Sequence, residues 1–322
     1  MSNGLSAGLK PVTVENFVFA ESDKFFGNFV RQGGFGKLVH NREPASVDNQ
    51  AVIRLNRDTI YSNGVFDLEA GPVTVKLPNA GNRFMSLIGV SEDHYVPLVS
   101  YGGTSVFSQD KVGTRYVAVL IRTFVDPNDP ADMAQAHALQ DAIVVTQPGG
   151  PGTFEVAQWD TEEESKIRDA LAVLGSTLPN FDGAFGARGQ TDPVRHLIGT
   201  ATGWGGNPTK DAFYVGGAPA KNDGKARYTM HLENVPVDGF WSVSVYDGKG
   251  YFQKNPAGVY SLNSVTAKKS ADGSVDILFG GDGTEPNSIP TPPGWNYVLR
   301  LYRPRPEVIS GAWKMPELQA VN

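Results

Sequence analysis

A chain of 322 residues exceeds the size at which single cores usually stop growing, so about two domains are expected. Its formal net charge of −6, with no lysine or arginine cluster, excludes the electrostatic case for nucleic acid or an anionic membrane. The absence of cysteine excludes disulfides, thiolate nucleophiles and thiolate metal sites.

From Val14 to Val30 the apolar residues Phe17, Val18, Phe25, Phe26, Phe29 and Val30 fall at helical spacing, which predicts an N-terminal amphipathic helix stopped by Gly33-Gly34. Gly33 to Lys37 lacks the spacing and the hydroxyl residue of a phosphate-binding loop. Ala51-Val52-Ile53 and Val65 to Leu68 read as strand ends that flank Arg54 to Ser62, the densest polar run of the chain. Extended, that run puts Asn56, Asp58 and Ile60 on one face and Arg57, Thr59 and Tyr61 on the other. Strands follow at Val73 to Leu77, Phe84 to Val90 and Tyr116 to Ile121, without the long crossover helices of a parallel sheet. Asp129-Pro130 opens a helix, Thr161 to Glu164 fits a capping box ahead of a second, and Asp192-Pro193 starts a third. Beyond Asn207-Pro208, Tyr228 to Glu233 and Phe240 to Tyr246 read as a hairpin, with further strands at Val275 to Phe279 and Trp295 to Arg303. The expected layout is a helix and β-sandwich over 1–128, a helical connection over 129–207 and a second β-sandwich over 208–322.

With 37 glycines and 22 prolines but no repeat, the composition suits many short strands and turns. Neither a basic and apolar leader nor a membrane-length apolar run occurs, so the expectation is a cytoplasmic protein with no membrane span. The apolar arm Val308 to Leu318 fits either a homo-oligomer contact or a tail wrapping its own domain.

Histidines 40, 94, 137, 196 and 231 form none of the close pairs that mark zinc or non-haem iron, so no metal and no cofactor is expected. Elbow, dinucleotide and Walker motifs are missing as well. What remains is a set of polar groups in strand-like sequence. Asp58, Tyr61 and His94 have the chemistry of proton carriers. Asn56, Thr59, Arg83, Trp241, Arg300 and Tyr302 are the matching candidates for substrate binding, an arginine holding any carboxylate or phosphate. Each also has an ordinary structural reading: a strand corner for Asp58 and Thr59, a buried ion pair for Arg300, a core aromatic for Trp241. Two functions are open. One is a cofactor-free hydrolase, lyase or isomerase acting on a small organic molecule in a cleft between the two sandwiches. The other is a non-catalytic protein that holds a small ligand or carbohydrate.

Asn56-x-Asp58-Thr59-Ile60-Tyr61-Ser62, followed by Asp67-Leu68, Gly71-Pro72-Val73, Pro78 and Gly81-x-Arg83-Phe84, resembles the domain of unknown function numbered 1254. Gly239 to Asp247, Leu299 to Pro304, Gly311-x-Trp313 and Pro316 resemble its partner, the domain of unknown function numbered 1214. The resemblance implies two β-sandwiches, the second jelly-roll-like, with a helical segment between them. It brings no catalytic residues.

Overall fold

Strand outweighs helix, 28% against 21%, so the protein is mainly β, as the density of turn residues predicts. The computed structural model describes residues 8–50 and 53–321. The chain divides into two compact units. The first takes the chain up to Asn41, Tyr61–Thr123 and Gln135–Thr209; the second takes Arg42–Ile60, Phe124–Ala134 and the chain from Lys210 onward.

In the first unit, α1 (Phe17–Arg31) buries Phe17, Ala20 and Phe26. It ends where the Gly33 amide bonds the Val30 carbonyl at a φ of 91°, a conformation glycine adopts without strain. The strands are β1 (Val39–His40), β2 (Thr59–Asp67), β3 (Val73–Leu77), β4 (Met85–Ser91), β5 (Leu98–Ser100), β6 (Gly103–Phe107), β7 (Tyr116–Phe124) and β8 (Val144–Thr146). A short helix, α2 (Gln109–Val112), precedes β7, and α3 (Pro130–Asp141) precedes β8. A five-stranded sheet, β1-β2-β7-β4-β5, faces a three-stranded one, β6-β3-β8. Phe66, Val75, Leu87, Val119 and Ile121 fill the space between. The other face of the large sheet, with Val65, Ile88 and Ala118, packs on Phe26, Phe29 and Trp204. Sequence alternation reads as continuous burial in β4 and β7 because both of their faces are covered.

Two further helices complete this unit, α4 (Thr161–Gly175) and α5 (Pro193–Gly203). The first is capped by Asp160, which accepts the amides of Glu162 and Glu163, rather than by Thr161 as the capping-box pattern predicts. The carboxylate one residue earlier takes two orphan amides at once, which the hydroxyl cannot match. Ile53-Arg54 is a turn and not the end of a strand, Arg54 having a φ of 53°. The rest of that expected strand, Ala51-Val52, lies outside the described residues.

Glu92, just past β4, is pushed up to about 7 by burial and by the nearby Asp23, against the Tyr116 amide that it accepts at 3.0 Å. Asp23 itself is pushed up to about 6 by burial. A carboxyl whose folded value lies above its unfolded one favours folding at pH below the unfolded value, near 4.5, and loses that contribution as the pH rises through about 7. Glu92→Gln, which cannot ionise, should therefore gain stability over the native chain between pH 5 and 8. Melting curves across that range check this, and a difference that stays constant or shrinks with pH would contradict it.

The second unit is built from β9 (Ala212–Gly217), β10 (Arg227–Leu232), β11 (Trp241–Tyr246), β12 (Ser261–Asn263), β13 (Val275–Phe279), β14 (Ser288–Ile289), β15 (Asn296–Tyr302), α6 (Pro306–Ile309) and β16 (Gln319–Val321). Its sheets are β14-β13-β10-β16 and β12-β11-β15-β9. Met230, Ile277 and Phe279 from one meet Trp241, Val243, Leu299 and Leu301 from the other in a single core. The expected hairpin is not one, since β10 and β11 belong to different sheets. Each carries an apolar face that only the opposite sheet can cover, so the Glu233 to Phe240 connection crosses the sandwich instead of turning back within a layer.

The C-terminal arm wraps its own unit. β16 pairs with the β10 edge from Arg227↔Val321 to Thr229↔Gln319, and Trp313, Met315 and Leu318 pack on the sandwich core. Deleting Gly311 to Asn322 should cost about 3 kcal/mol or more from the uncovered apolar surface. A truncated chain that melts with the full one would contradict this placement.

Candidate functional site

On β11 the residues Trp241, Val243 and Val245 enter the core, so Ser242, Ser244 and Tyr246 stand on the opposite face of the sheet. One row crosses all four strands of that face. Asn263 on β12, Ser242 on β11, Arg300 on β15 and Tyr214 on β9 are successive cross-strand partners. Asn263, Ser242 and Arg300 are buried. Hydroxyl, amide and guanidinium groups at such a depth require partners, and the stretch from Arg54 to Thr59 supplies three of them, the Arg54 and Leu55 carbonyls to Arg300 and the Asp58 carboxyl to Asn263.

Asn56 shapes this stretch. Its Oδ1 accepts the Asp58 amide at 2.9 Å, closing an Asx turn, and its Nδ2 donates to Thr59 Oγ1 and the Tyr302 hydroxyl, both at 3.1 Å. Arg300 then ties the stretch down. One terminal nitrogen donates to Ser244 Oγ at 2.8 Å; the other donates to the carbonyls of Arg54 at 2.8 Å and Leu55 at 3.3 Å and to the Tyr246 hydroxyl at 2.6 Å. The Tyr246 hydroxyl in turn donates to the Leu55 carbonyl at 2.7 Å. Burial opposes the charge of Arg300, yet the phenols of Tyr246 and Tyr302 and the Asp58 carboxyl hold its pKa above the usual arginine value. It is a cation spent on backbone carbonyls. Arg57 behaves alike, bonding the Ala45 carbonyl under the Tyr260 ring, with its pKa lowered by burial.

Asp58 is the exception in this satisfied network. It is 2% exposed, and its Oδ1 has one long bond, 3.3 Å from Asn263 Nδ2. Among the described residues its Oδ2 has no partner, and neither has the Ser242 hydroxyl, which lends Asp58 a favourable dipole without reaching bonding geometry. Burial raises the pKa of Asp58, and the charges of Arg300 and Arg57 and the dipoles of Ser242 and Asn263 only reduce the rise. Asp67, in the first unit, has as little exposed surface, 1%, but lies less deep in the protein and behaves in the opposite way. It takes two bonds from Arg115, at 3.1 and 2.9 Å, and the amides of Thr153 and Glu69 at 3.1 and 3.0 Å. Burial pushes Asp67 up, but those bonds outweigh it and leave its pKa below the usual value. The same fold shows what a structural carboxylate looks like, and Asp58 does not look like it.

The other expected residues fall as follows. Thr59 and Tyr302 join Asn56 as partners within the Asp58 network. Trp241 is a core residue of the sandwich, because alternation along β11 gives the outer face to Ser242. Tyr61, His94 and Arg83 belong to the first unit. The Tyr61 ring lies under the Arg122 guanidinium at 5.5 Å. His94 is wholly buried, and burial followed by the neighbouring His196 lowers its pKa well below the usual histidine value. Its Nε2 accepts the Gly205 amide at 2.9 Å, and its Nδ1 lies 2.8 Å from Thr200 Oγ1, whose own proton goes to the His196 carbonyl at 2.9 Å. A neutral imidazole protonated at Nδ1 satisfies every one of these bonds. Arg83 sits in the turn before β4 and reaches Gln135 at 3.4 Å.

Ser242, Ser244 and Asn263 were not among the expected residues. The signal for the serines is present in Trp-Ser-Val-Ser-Val-Tyr, where hydroxyls at alternate positions of an apolar strand must share one face. Asn263 has no such signal. Among the described residues no group of three or more histidine, aspartate or glutamate side chains is placed to hold a metal ion. Among them, too, no helix is long and apolar enough to cross a membrane.

Residues 35–91 match the family model described as a protein of unknown function (DUF1254), and residues 213–306 match a second, a protein of unknown function (DUF1214). The chain therefore carries the pairing that its motifs resemble. No curated protein matches it. Among solved structures it is similar to the VPA0106 protein from Vibrio parahaemolyticus, at 19% identity over 96% of this chain and 98% of that one, with a TM-score of 0.72. It is also similar to a putative uncharacterized protein from Burkholderia cenocepacia, at 12% identity over 95% of this chain and 87% of that one, with a TM-score of 0.50. At these identities the likeness shows a shared fold.

Proposed function

We propose that this pairing of two domains of unknown function forms a cofactor-independent acid–base enzyme for a small organic molecule, with Asp58 as its proton carrier. The carrying observation is the Asp58 carboxyl, 2% exposed with one oxygen unpartnered, beside a buried serine hydroxyl that is unpartnered too. An unpaired buried carboxylate is among the costliest groups a fold can keep, and a structural role is served better by the bonding that Asp67 receives. A raised pKa supports transfer in both directions: the neutral acid gives a proton to a developing oxyanion or leaving group, and the carboxylate takes one back. Ser242 Oγ is the hydrogen-bonding group for the reacting oxygen. Asn56 and Tyr302 fix the Asp58 backbone, and Arg300 supplies positive charge to the ionised state. Reaction classes that fit are hydrolysis, elimination and isomerisation.

The experiment is incubation of the full-length protein with a mixed small-molecule extract, followed by mass spectrometry. A metabolite should be consumed and a product formed. Ser242→Ala should slow that conversion about 10-fold or more, while the melting temperature stays level or rises because a buried unpaired hydroxyl is gone. A metabolite that is retained but never converted would replace this reading with a non-catalytic binding protein, and a Ser242→Ala chain that melts lower would return the serine to a structural role.

A further inference from the structure

Ser62 closes the polar run Arg54 to Ser62 and makes no bond to Asp58 or to Ser242. It lies on β2 as the direct cross-strand partner of His40 on the two-residue edge strand β1. Ser62 Oγ is 2.7 Å from His40 Nδ1. The Gln140 side-chain amide, wholly buried on α3, donates to Ser62 Oγ and to the carbonyls of Asn41 and Tyr61, all at 3.2 Å. With Gln140 donating to Oγ, and Ser62 fully buried, the arrangement that leaves no hydroxyl proton unpaired has Ser62 donating to His40 Nδ1. His40 is then neutral with its proton on Nε2, the tautomer a general base requires.

The surroundings add two features. The Leu68 amide bonds the Arg115 carbonyl, and the Val125 amide bonds the Asp58 carbonyl. These two bonds fix an antiparallel register in which Ser62 faces Ile121 and Thr123 is its diagonal neighbour on the same face. Thr123 is fully buried, and its hydroxyl has no partner among the described residues. Phe66 shares the Ser62 face of β2 and packs with Ile121, Met85 and Leu38. The cluster therefore sets a hydroxyl–imidazole pair, an amide donor and an unpartnered hydroxyl against apolar side chains, the imidazole being half-buried on a sheet edge.

We infer that Ser62 and His40 form a nucleophile–base pair for short, apolar acyl esters, a site in the first unit that does not depend on Asp58. Ser62 Oγ attacks the ester carbonyl carbon, the new C–O bond forming as the Oγ proton passes to His40 Nδ1. The carbonyl pair moves to oxygen, where the Gln140 amide, released from Oγ, and the Thr123 hydroxyl donate to it. The carbonyl re-forms, the alkoxide leaves with the proton from His40, and water then hydrolyses the acyl-serine by the same route. The Gly-x-Ser-x-Gly elbow is missing around Ser62, but nucleophile–base pairs are recognised by geometry and not by motif.

The test is treatment of the full-length protein with diisopropyl fluorophosphate, a small probe whose phosphorus–fluorine bond is broken by an activated serine, followed by peptide mass spectrometry. One adduct is expected, on Ser62, absent in Ser62→Ala. His40→Gln, which keeps a hydrogen-bonding side chain across from Ser62, should label at least about 100-fold more slowly, with circular dichroism unchanged. The Asp58→Asn chain should label at the native rate, which separates this site from the one proposed above. No adduct on Ser62 after exhaustive treatment, or equal labelling of a folded His40→Gln chain, would overturn the inference.

Discussion

Asparagine at position 58 should cut turnover about 10²-fold or more while the melting temperature stays level or rises. The substitution keeps shape and volume but removes the ionisable proton and the charge. Because burial raises the Asp58 pKa, ionised Asp58 opposes folding, and its contribution to stability is lost as the pH rises through the raised value. A neutral side chain does not bear that cost above it. The asparagine amide can also donate towards the Ser242 hydroxyl, which lacks a partner among the described residues. Thermal melts and the rate of metabolite conversion, measured on one preparation, decide the matter. A variant that melts several degrees lower yet converts substrate normally would make Asn56 to Thr59 a strand corner and nothing more.

Replacing Arg300 by methionine should destabilise the protein by about 3–5 kcal/mol, the range for breaking a buried charged network by removing one member. Methionine fills most of the volume. What it leaves unpaired are the Arg54 carbonyl and the Ser244 hydroxyl, while the Leu55 carbonyl and the Tyr246 hydroxyl lose their guanidinium protons and keep only the bond between them. Lysine rescues little, since one ammonium cannot span acceptors that lie on β11 and in the Arg54–Leu55 turn at once. Denaturant unfolding measures the loss. An unchanged midpoint would show that the turn over the sheet is held by something other than Arg300.

Together the two variants separate holding from reacting. Arg300 and Asn56 are committed to the backbone of the 54–59 stretch, and their loss should be felt as stability. Asp58 and Ser242 make too few bonds to hold anything, and their loss should be felt as rate.

The fold class was legible because its signals are local. Alternation in Val73 to Leu77 and Tyr228 to Leu232, the Asp-Pro starts of α3 and α5, and the double glycine after α1 each act within a few residues. The misread features are those where a distant partner decides. Phe240 to Tyr246 looks like the return of a hairpin, but the apolar face of β11 belongs against β10 from the opposite sheet. Segments 42–60 and 124–134, which join the C-terminal sequence in one unit, carry nothing in composition to announce it. The site was partly legible for the same reason. Asp58, Asn56, Thr59, Tyr302 and Arg300 stand out as polar groups in strand-like sequence, and they do meet. That Arg300 serves carbonyls instead of an anion, and that Asn263 is the neighbour of Asp58, depends on strand register across more than 200 residues of chain.

The Asp58 carboxyl is buried without the bonding that would stabilise its charge. Selective carbon-13 labelling of aspartate, with Asp58→Asn to assign the resonance, follows its ionisation directly. Its midpoint should lie clearly above the ordinary aspartate value of 3.8. A midpoint at or below that value, as expected for Asp67, would show a carboxylate stabilised by partners and would contradict Asp58 as a proton carrier.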